Sequence, residues 1–180
     1  MKKAITTLVV LLMCFIAKSQ VQETKVYVSQ NEIWLKNTET GELKMLGIGS
    51  DPAFSPDGNS ILFIGHKLNK ASGKDFGILC IMSVDGDNVR EITNTEMGNA
   101  NNPCFSPDGK RIVFALSDKK GKADMDIYVI DITGENLVQL TSNKSSDFTP
   151  SWTKDNYIYF TSDRGAKTGN FQIWRFKYDR

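Results

Sequence analysis

The residues of this sequence that could do chemistry are few and scattered. It contains one histidine, His66, and outside the apolar N-terminal stretch two cysteines, Cys80 and Cys104. A nucleophile needs a base beside it, and a zinc site needs several histidine or cysteine ligands. Neither cysteine has a histidine close in the repeat pattern, and no Gly-x-Ser-x-Gly elbow or phosphate-binding glycine loop occurs. The sequence therefore predicts no catalytic residue, no metal site and no cofactor, and we interpret the chain as a non-enzyme.

Two aspartates, Asp57 and Asp108, occupy the same place in a repeated motif, where carboxylates might suggest a cation site. Each one belongs to a separate Ser-Pro-Asp-Gly turn, so the two carboxylates do not converge. In such a turn Pro presets φ, Asp bonds back to the local backbone, and Gly accepts a positive φ. We interpret both aspartates as turn residues.

The repeated motif indicates the elements that carry these residues. Its aromatic positions are 51 and 47 residues apart, a period that suits one four-stranded propeller blade. After each copy come short strands rich in β-branched and aromatic residues, separated by tight turns. The third copy has Asn156 in place of Gly, and Asn also tolerates a positive φ. The three copies are Asp51-Pro-Ala-Phe-Ser-Pro-Asp-Gly58, Asn102-Pro-Cys-Phe-Ser-Pro-Asp-Gly109 and Thr149-Pro-Ser-Trp-Thr-Lys-Asp-Asn156.

These patterns predict an all-β fold: a β-propeller of four-stranded blades, with about four blades in a partial or small propeller. The expected blades cover approximately residues 24–47, 51–95, 102–142 and 149–180. The first lacks an innermost strand and the last an outer one, so we expect 3+4+4+3 strands. Aromatic residues that recur between blades favour packing over ligand binding. They are Phe54, Phe105 and Trp152 in the motif, and Trp34, Tyr128 and Trp174 in the third strands.

The motif Pro-x-aromatic-Ser-Pro-Asp-Gly-Lys, followed by an Ile-Tyr-Val strand and a final Leu-Thr, resembles the TolB-like β-propeller repeat, a WD-type repeat. The best match is Pro103–Lys110 with Ile127–Val129 and Leu140–Thr141. Similar repeats occur in the propeller domains of dipeptidyl peptidases and prolyl oligopeptidases. The resemblance implies a module that binds a protein partner in the cell envelope. It does not specify an activity, because such repeats accompany unrelated functions.

The N-terminus has the pattern of a cleavable signal peptide, residues 1–19. Lys2 and Lys3 precede an apolar run over 8–17, which closes on Ala17-Lys18-Ser19, so we expect cleavage before Gln20. The domain is then 20–180, periplasmic or secreted, with no membrane span. Cleavage removes three lysines and leaves 19 basic against 21 acidic residues, a net charge of −2. This balance gives no electrostatic reason to expect nucleic acid or an anionic membrane as a partner. In an exported chain Cys80 and Cys104 could pair, but we favour two buried thiols.

The candidate partner-binding residues lie in the longer loops expected within blades, at 65–76, 116–125 and 162–171. Long loops on a rigid scaffold are where binding sites concentrate. A basic excess there suggests a rim that meets an acidic partner or an anionic cell-wall polymer, and ordinary solvated charge remains the alternative. The residues are Lys67, Lys70, Lys74, Lys119, Lys120, Lys122, Arg164 and Lys167.

An incomplete propeller leaves edges that must be covered. The blades could close into a small ring, two chains could form a homodimer that completes a larger one, or another protein could cover the edge. Our hypothesis is completion by association. Two alternative functions also stay open: a regulatory or substrate-gating propeller associated with a peptidase or hydrolase, and a carbohydrate-binding module. The latter would require an axial cluster of exposed aromatic residues, which the loops do not contain.

Overall fold

The computed structural model describes residues 24–118, 124–142, 144–165 and 170–179, and every regular element in these ranges is a β-strand. The strands form four antiparallel sheets of three, four, four and three members, each sheet built from consecutive strands. The structure thus confirms the all-β propeller fold predicted from the repeat. Within the described residues, no helix has the length and apolar character of a membrane span. The predicted signal peptide and its cleavage site lie outside the described residues.

The four sheets are called blades 1 to 4, and their strands are numbered in chain order. Blade 1 contains β1 (Thr24–Ser29), β2 (Glu32–Asn37) and β3 (Leu43–Ile48). Blade 2 contains β4 (Ser50–Phe54), β5 (Ser60–Asn69), β6 (Lys74–Ser83) and β7 (Arg90–Glu91). Blade 3 contains β8 (Asn99–Phe105), β9 (Arg111–Ser117), β10 (Met125–Asp131) and β11 (Val138–Gln139). Blade 4 contains β12 (Asp147–Trp152), β13 (Tyr157–Ser162) and β14 (Gln172–Lys177).

The Ser-Pro-Asp-Gly turns have the geometry expected from their residues. In blade 3 the Ser106 hydroxyl donates to Asp108 Oδ1 at 2.6 Å and accepts from the backbone N–H of Arg111 at 2.9 Å. Gly109 has φ 70°, and Asn156 in the third copy has φ 65°. Asn therefore preserves the turn where the sequence motif has diverged.

Alternate residues of each strand face opposite neighbouring blades, and three apolar clusters fill the spaces between blades. Within β9, Ile112 and Phe114 pack towards blade 2, whereas Val113 and Ala115 pack towards blade 4. The motif aromatics also lie between blades, which confirms their predicted packing: Phe105 is buried, and Phe54 and Trp152 pack against the neighbouring clusters. Burying one large aliphatic side chain contributes about 1.5–3 kcal/mol, so these clusters hold the blades together.

Packing between blades follows chain order. Strand β4 packs on β1 and β2, β8 packs on β4, β5 and β6, and β12 packs on β8, β9 and β10. No comparable packing joins blade 1 to blade 4 among the described residues. Within the described residues the four blades therefore form an unclosed series, and the small closed ring considered from the sequence is not formed there.

Two expectations were wrong in detail. The loop predicted at 65–76 is mostly strand, because β5 continues to Asn69 and β6 begins at Lys74. The side chain of Asn69 closes this hairpin by accepting the N–H groups of Ala71 and Ser72 at 3.1 and 2.9 Å. Trp174, expected in the core, is 39% exposed. It pairs with Phe160 on the face of blade 4 that packs towards blade 3, where the guanidinium of Arg164 covers only part of its ring.

Candidate partner-binding surfaces

The basic residues of the first predicted loop lie along the β5–β6 hairpin. The Lys67 ammonium is 2.9 Å from both carboxylate oxygens of Glu91, so much of its charge is already compensated. Lys70 is exposed in the turn that joins the two strands, and Lys74 is exposed at the start of β6. The other predicted lysines, Lys119, Lys120, Lys122 and Lys167, lie outside the described residues.

Arg164 has a different environment from that of a solvated rim residue. Its Nη2 lies 2.5 Å from Oδ2 of Asp147, which is fully buried. Its guanidinium also stacks against Phe160 and Trp174, with 5.0 and 5.1 Å from Cζ to the ring centroids. Sequence reasoning missed Asp147, which precedes Arg164 by 17 residues. The arrangement fixes the β13–β14 connection against the first strand of its blade.

The groups considered for catalysis are not brought together. His66 Nδ1 is 3.5 Å from Asp75 Oδ2, and both side chains are about half exposed or more. Burial raises the pKa of the Cys80 thiol to about 11, so it is protonated at neutral pH. Cys80 and Cys104 are both free thiols. Within the described ranges, no three acidic, histidine or cysteine side chains form a group that could hold a metal ion.

Strained residues recur on the innermost strands. Asp51, Asn102 and Thr149 each precede proline and have φ values of 51°, 50° and 49°. In each case the strand pairing shifts register at this point, which marks a β-bulge. Positive φ is unusual for a residue that is not glycine, and least expected for β-branched Thr149. Because the bulge recurs at the same place in three blades, it is a feature of the repeat itself.

Two clefts open between blades. One of about 410 Å³ lies between the tight turns of blades 3 and 4, over an edge-to-face pair of Trp152 and Tyr178 whose ring centroids are 4.8 Å apart. Its cations are Arg111, which is 3.5 Å from Asp131, and Lys154, and the carboxylate of Asp108 also lines the cleft. The other, of about 380 Å³, is mainly apolar and lies between β3 and the outer part of blade 2.

The fold and motifs agree with comparison to known proteins. The family model of the TolB beta propeller domain matches residues 78–180, more than half of the sequence. This chain belongs to the TolB β-propeller family.

Relatives in this family include proteins of different kinds. The chain is 33% identical over 117 residues to the Tol-Pal system protein TolB of Francisella tularensis, covering 64% of this chain and 25% of that protein. It is also 33% identical over 122 residues to the uncharacterized peptidase YuxL of Bacillus subtilis, covering 62% of this chain and 18% of that protein. The chain therefore spans about a quarter or less of the curated relatives it matches. Among solved structures, the TolB of Acinetobacter baumannii superposes with a TM-score of 0.60 at 22% identity, covering 82% of this chain and 35% of that one.

Proposed function

We propose that this chain is an exported, non-catalytic β-propeller module that binds a protein partner in the cell envelope. The observation that carries the proposal is an antiparallel scaffold whose two end blades expose large apolar and aromatic side chains. Ile48 and Ile173 are 71% and 78% exposed, and Phe171 is 52% exposed. Apolar side chains that cluster on an exposed surface mark interaction sites. The family relationship to a Tol-Pal system protein supports the same function.

The long-loop rim is the second part of this proposal. Of its described members, Lys67 and Arg164 have carboxylate partners in the structure, so Lys70 at the hairpin tip is the most available for a partner. Lys74, Lys119, Lys120, Lys122 and Lys167 complete the proposed rim. An acidic partner fits this surface, because exposed cations steer association and bind carboxylates.

The test is site-specific photo-crosslinking in cells that express the full chain. A photoreactive amino acid replaces Lys70 on the rim, and the matched control replaces Lys44, an exposed lysine of β3. A discrete protein adduct from position 70 and none from position 44 is expected. Reversing the charge of Lys119, Lys120 and Lys122 should weaken that adduct. No adduct from any rim position, with the protein folded and exported, would overturn the proposal.

A second candidate function is a propeller that regulates or gates a peptidase. The observation that favours it is the 33% sequence identity to the uncharacterized peptidase YuxL over 122 residues. Co-purification of the full chain with a serine hydrolase, and a change in that hydrolase's cleavage of long substrates, would favour this function over the first.

A further inference from the structure

The outward face of blade 4 differs from every face between blades. One side of this sheet packs on blade 3, and the opposite side is here called the distal face. Its members come from β13 and β14, where Tyr159 pairs with Arg175 and Thr161 pairs with Ile173. Tyr157 lies on the same face, paired with Lys177 at the end of β14.

The repeat shows which residues the inner blades place at these positions. Counted from the tight turns and the strand register, the equivalent positions of blades 2 and 3 are all aliphatic and at most 7% exposed. In blade 4 these positions hold Ile173, which is 78% exposed, together with Tyr159, Thr161 and Arg175. The equivalences are Leu62 and Val113 for Tyr159, Ile64 and Ala115 for Thr161, Leu79 and Ile127 for Ile173, and Ile81 and Val129 for Arg175.

Arg175 is held in place by aromatic residues rather than by a carboxylate. Its Cζ lies 4.8 Å from the ring centroid of Tyr157 and 5.9 Å from that of Tyr159. Its Nη1 donates to the Tyr159 hydroxyl at 3.1 Å. No carboxylate of the described residues is within ion-pair distance of it. The guanidinium is thus oriented in advance, and most of its five N–H donors remain available.

This chemistry is unsuited to an aliphatic seam with another blade. Covering Arg175 with aliphatic side chains would bury a charge without a partner, which is costly. A carboxylate can instead accept two parallel hydrogen bonds from the guanidinium, which is the strong arrangement for this group. Tyr and Arg are also the residues that dominate binding energy in protein interfaces.

Blade 1, at the other end of the series, also has cations where an inner blade has apolar residues. On the outward face of blade 1, Lys25 and Lys36 pair across β1 and β2 at the positions of Ile61 and Met82 in blade 2. Both lysines are exposed. The two end faces therefore carry cations, and they would repel each other if two copies joined end to end. Charge complementarity favours an acidic occupant over a second copy of this chain.

We propose that the distal face docks an acidic segment of a partner protein. A carboxylate of that segment pairs with Arg175, and an apolar side chain beside it covers Ile173. The inference rests on the proposed function and adds the chemistry of the partner and the surface that receives it.

The test measures binding of a labelled peptide by fluorescence anisotropy. The probe alternates glutamate and leucine, and the matched peptide has glutamine in place of glutamate. The acidic peptide should bind the protein, and the glutamine peptide should bind at least about tenfold more weakly. Arg175→Gln should weaken binding by about tenfold or more, as expected for a hot-spot arginine. Arg175→Lys should also weaken it, because lysine lacks the planar fork.

The control is Lys44→Gln, which removes one exposed cation from β3 in blade 1. It should leave the affinity within about twofold, since single exposed charges contribute little. Circular dichroism and thermal unfolding verify that each variant is folded. Equal losses in Arg175→Gln and Lys44→Gln, or no saturable binding of the acidic peptide, would overturn the proposal.

Two further outcomes would assign the face to a different occupant and also overturn it. One is Arg175-dependent binding of polygalacturonate without peptide binding. The other is a dimer, seen by light scattering, that Arg175→Gln abolishes. If peptide binding fails while the crosslink from position 70 persists, only this inference fails. Loss of both results removes the proposed function as well.

Discussion

Replacement of Thr93 by valine tests whether a side-chain hydroxyl satisfies the backbone of β6, the third strand of blade 2, where the outer strand has ended. The buried Thr93 hydroxyl accepts a hydrogen bond from the backbone N–H of Leu79 at 2.9 Å. The preceding residue, Ile92, donates its backbone N–H to the Leu79 carbonyl at 2.7 Å. Valine has nearly the same shape as threonine but offers no acceptor, so the N–H of Leu79 would be buried without a partner. An unsatisfied buried donor costs about 1–3 kcal/mol, and we expect this loss in the free energy of unfolding.

The assay is urea unfolding, in which the midpoint should fall while the slope stays constant. Thr93→Ser is the matched control, because serine keeps the hydroxyl and should retain most of the stability. Thr141 repeats the arrangement in blade 3, with its hydroxyl 2.9 Å from the N–H of Ile127. Thr141→Val should cost at least as much, because the Thr141 hydroxyl also donates to Asp126 Oδ1 at 3.2 Å, and the double variant should cost about the sum. A Thr93→Val protein with an unchanged urea midpoint would refute this account of the strand edge.

Three other changes should give measurable effects. Gly77→Ala should lower the free energy of unfolding, measured by urea unfolding, by about 1–3 kcal/mol, because its new Cβ would overlap the backbone oxygen of Ala100; the control Gly47→Ala meets open space. The hydrogen bond from Ser106 lowers the pKa of Asp108 in the folded protein. The stability that the Asp108 carboxylate contributes is therefore present above pH 3.8 and is lost as the pH falls through the lower pKa of the folded state. Ser106→Ala should make the urea midpoint depend less steeply on pH in this range. At pH 8, iodoacetamide should label Cys80 about a hundredfold more slowly in the native than in the unfolded protein, because its pKa rises from 9.0 to about 11.

The repeat and its turns could be predicted from sequence because their chemistry is local. Pro, Asp and Gly specify the turn within four residues, and the 51- and 47-residue spacing then determines where each blade begins. Asn156 was correctly placed in the third turn because few residues besides glycine accept a positive φ. The order of 3, 4, 4 and 3 strands follows from the same local signals.

The backbone of the innermost strands could not be predicted in this way. A residue before proline favours extended conformations, so Asp51, Asn102 and Thr149 gave no sign of a positive φ. The end of the β5–β6 hairpin has the composition of a loop, because its residues, including His66 and Lys67, are exposed and polar. An exposed strand and a polar loop have similar compositions, and only pairing with β6 distinguishes them.

The candidate site shows the same division between local and long-range information. Arg164 and Lys70 look alike in the sequence as basic loop residues, yet one is bound to a buried aspartate and the other is exposed at a turn. Nothing within a few residues of Arg164 predicts Asp147 as its partner. A charge count over loops therefore overestimates the cations that a partner can reach.

The end faces are more informative than the rim because the repeat supplies their reference state. A rim lysine is under no packing constraint, so its presence is compatible with simple solvation. Position 175 is constrained, since Ile81 and Val129 at the equivalent positions are 7% and 2% exposed within seams between blades. An arginine at such a position, supported by Tyr157 and Tyr159, departs from what blade packing requires. The strand register puts Arg175 and Tyr159 on the same face of the sheet. For this reason we propose that the partner's carboxylate binds the distal face of blade 4.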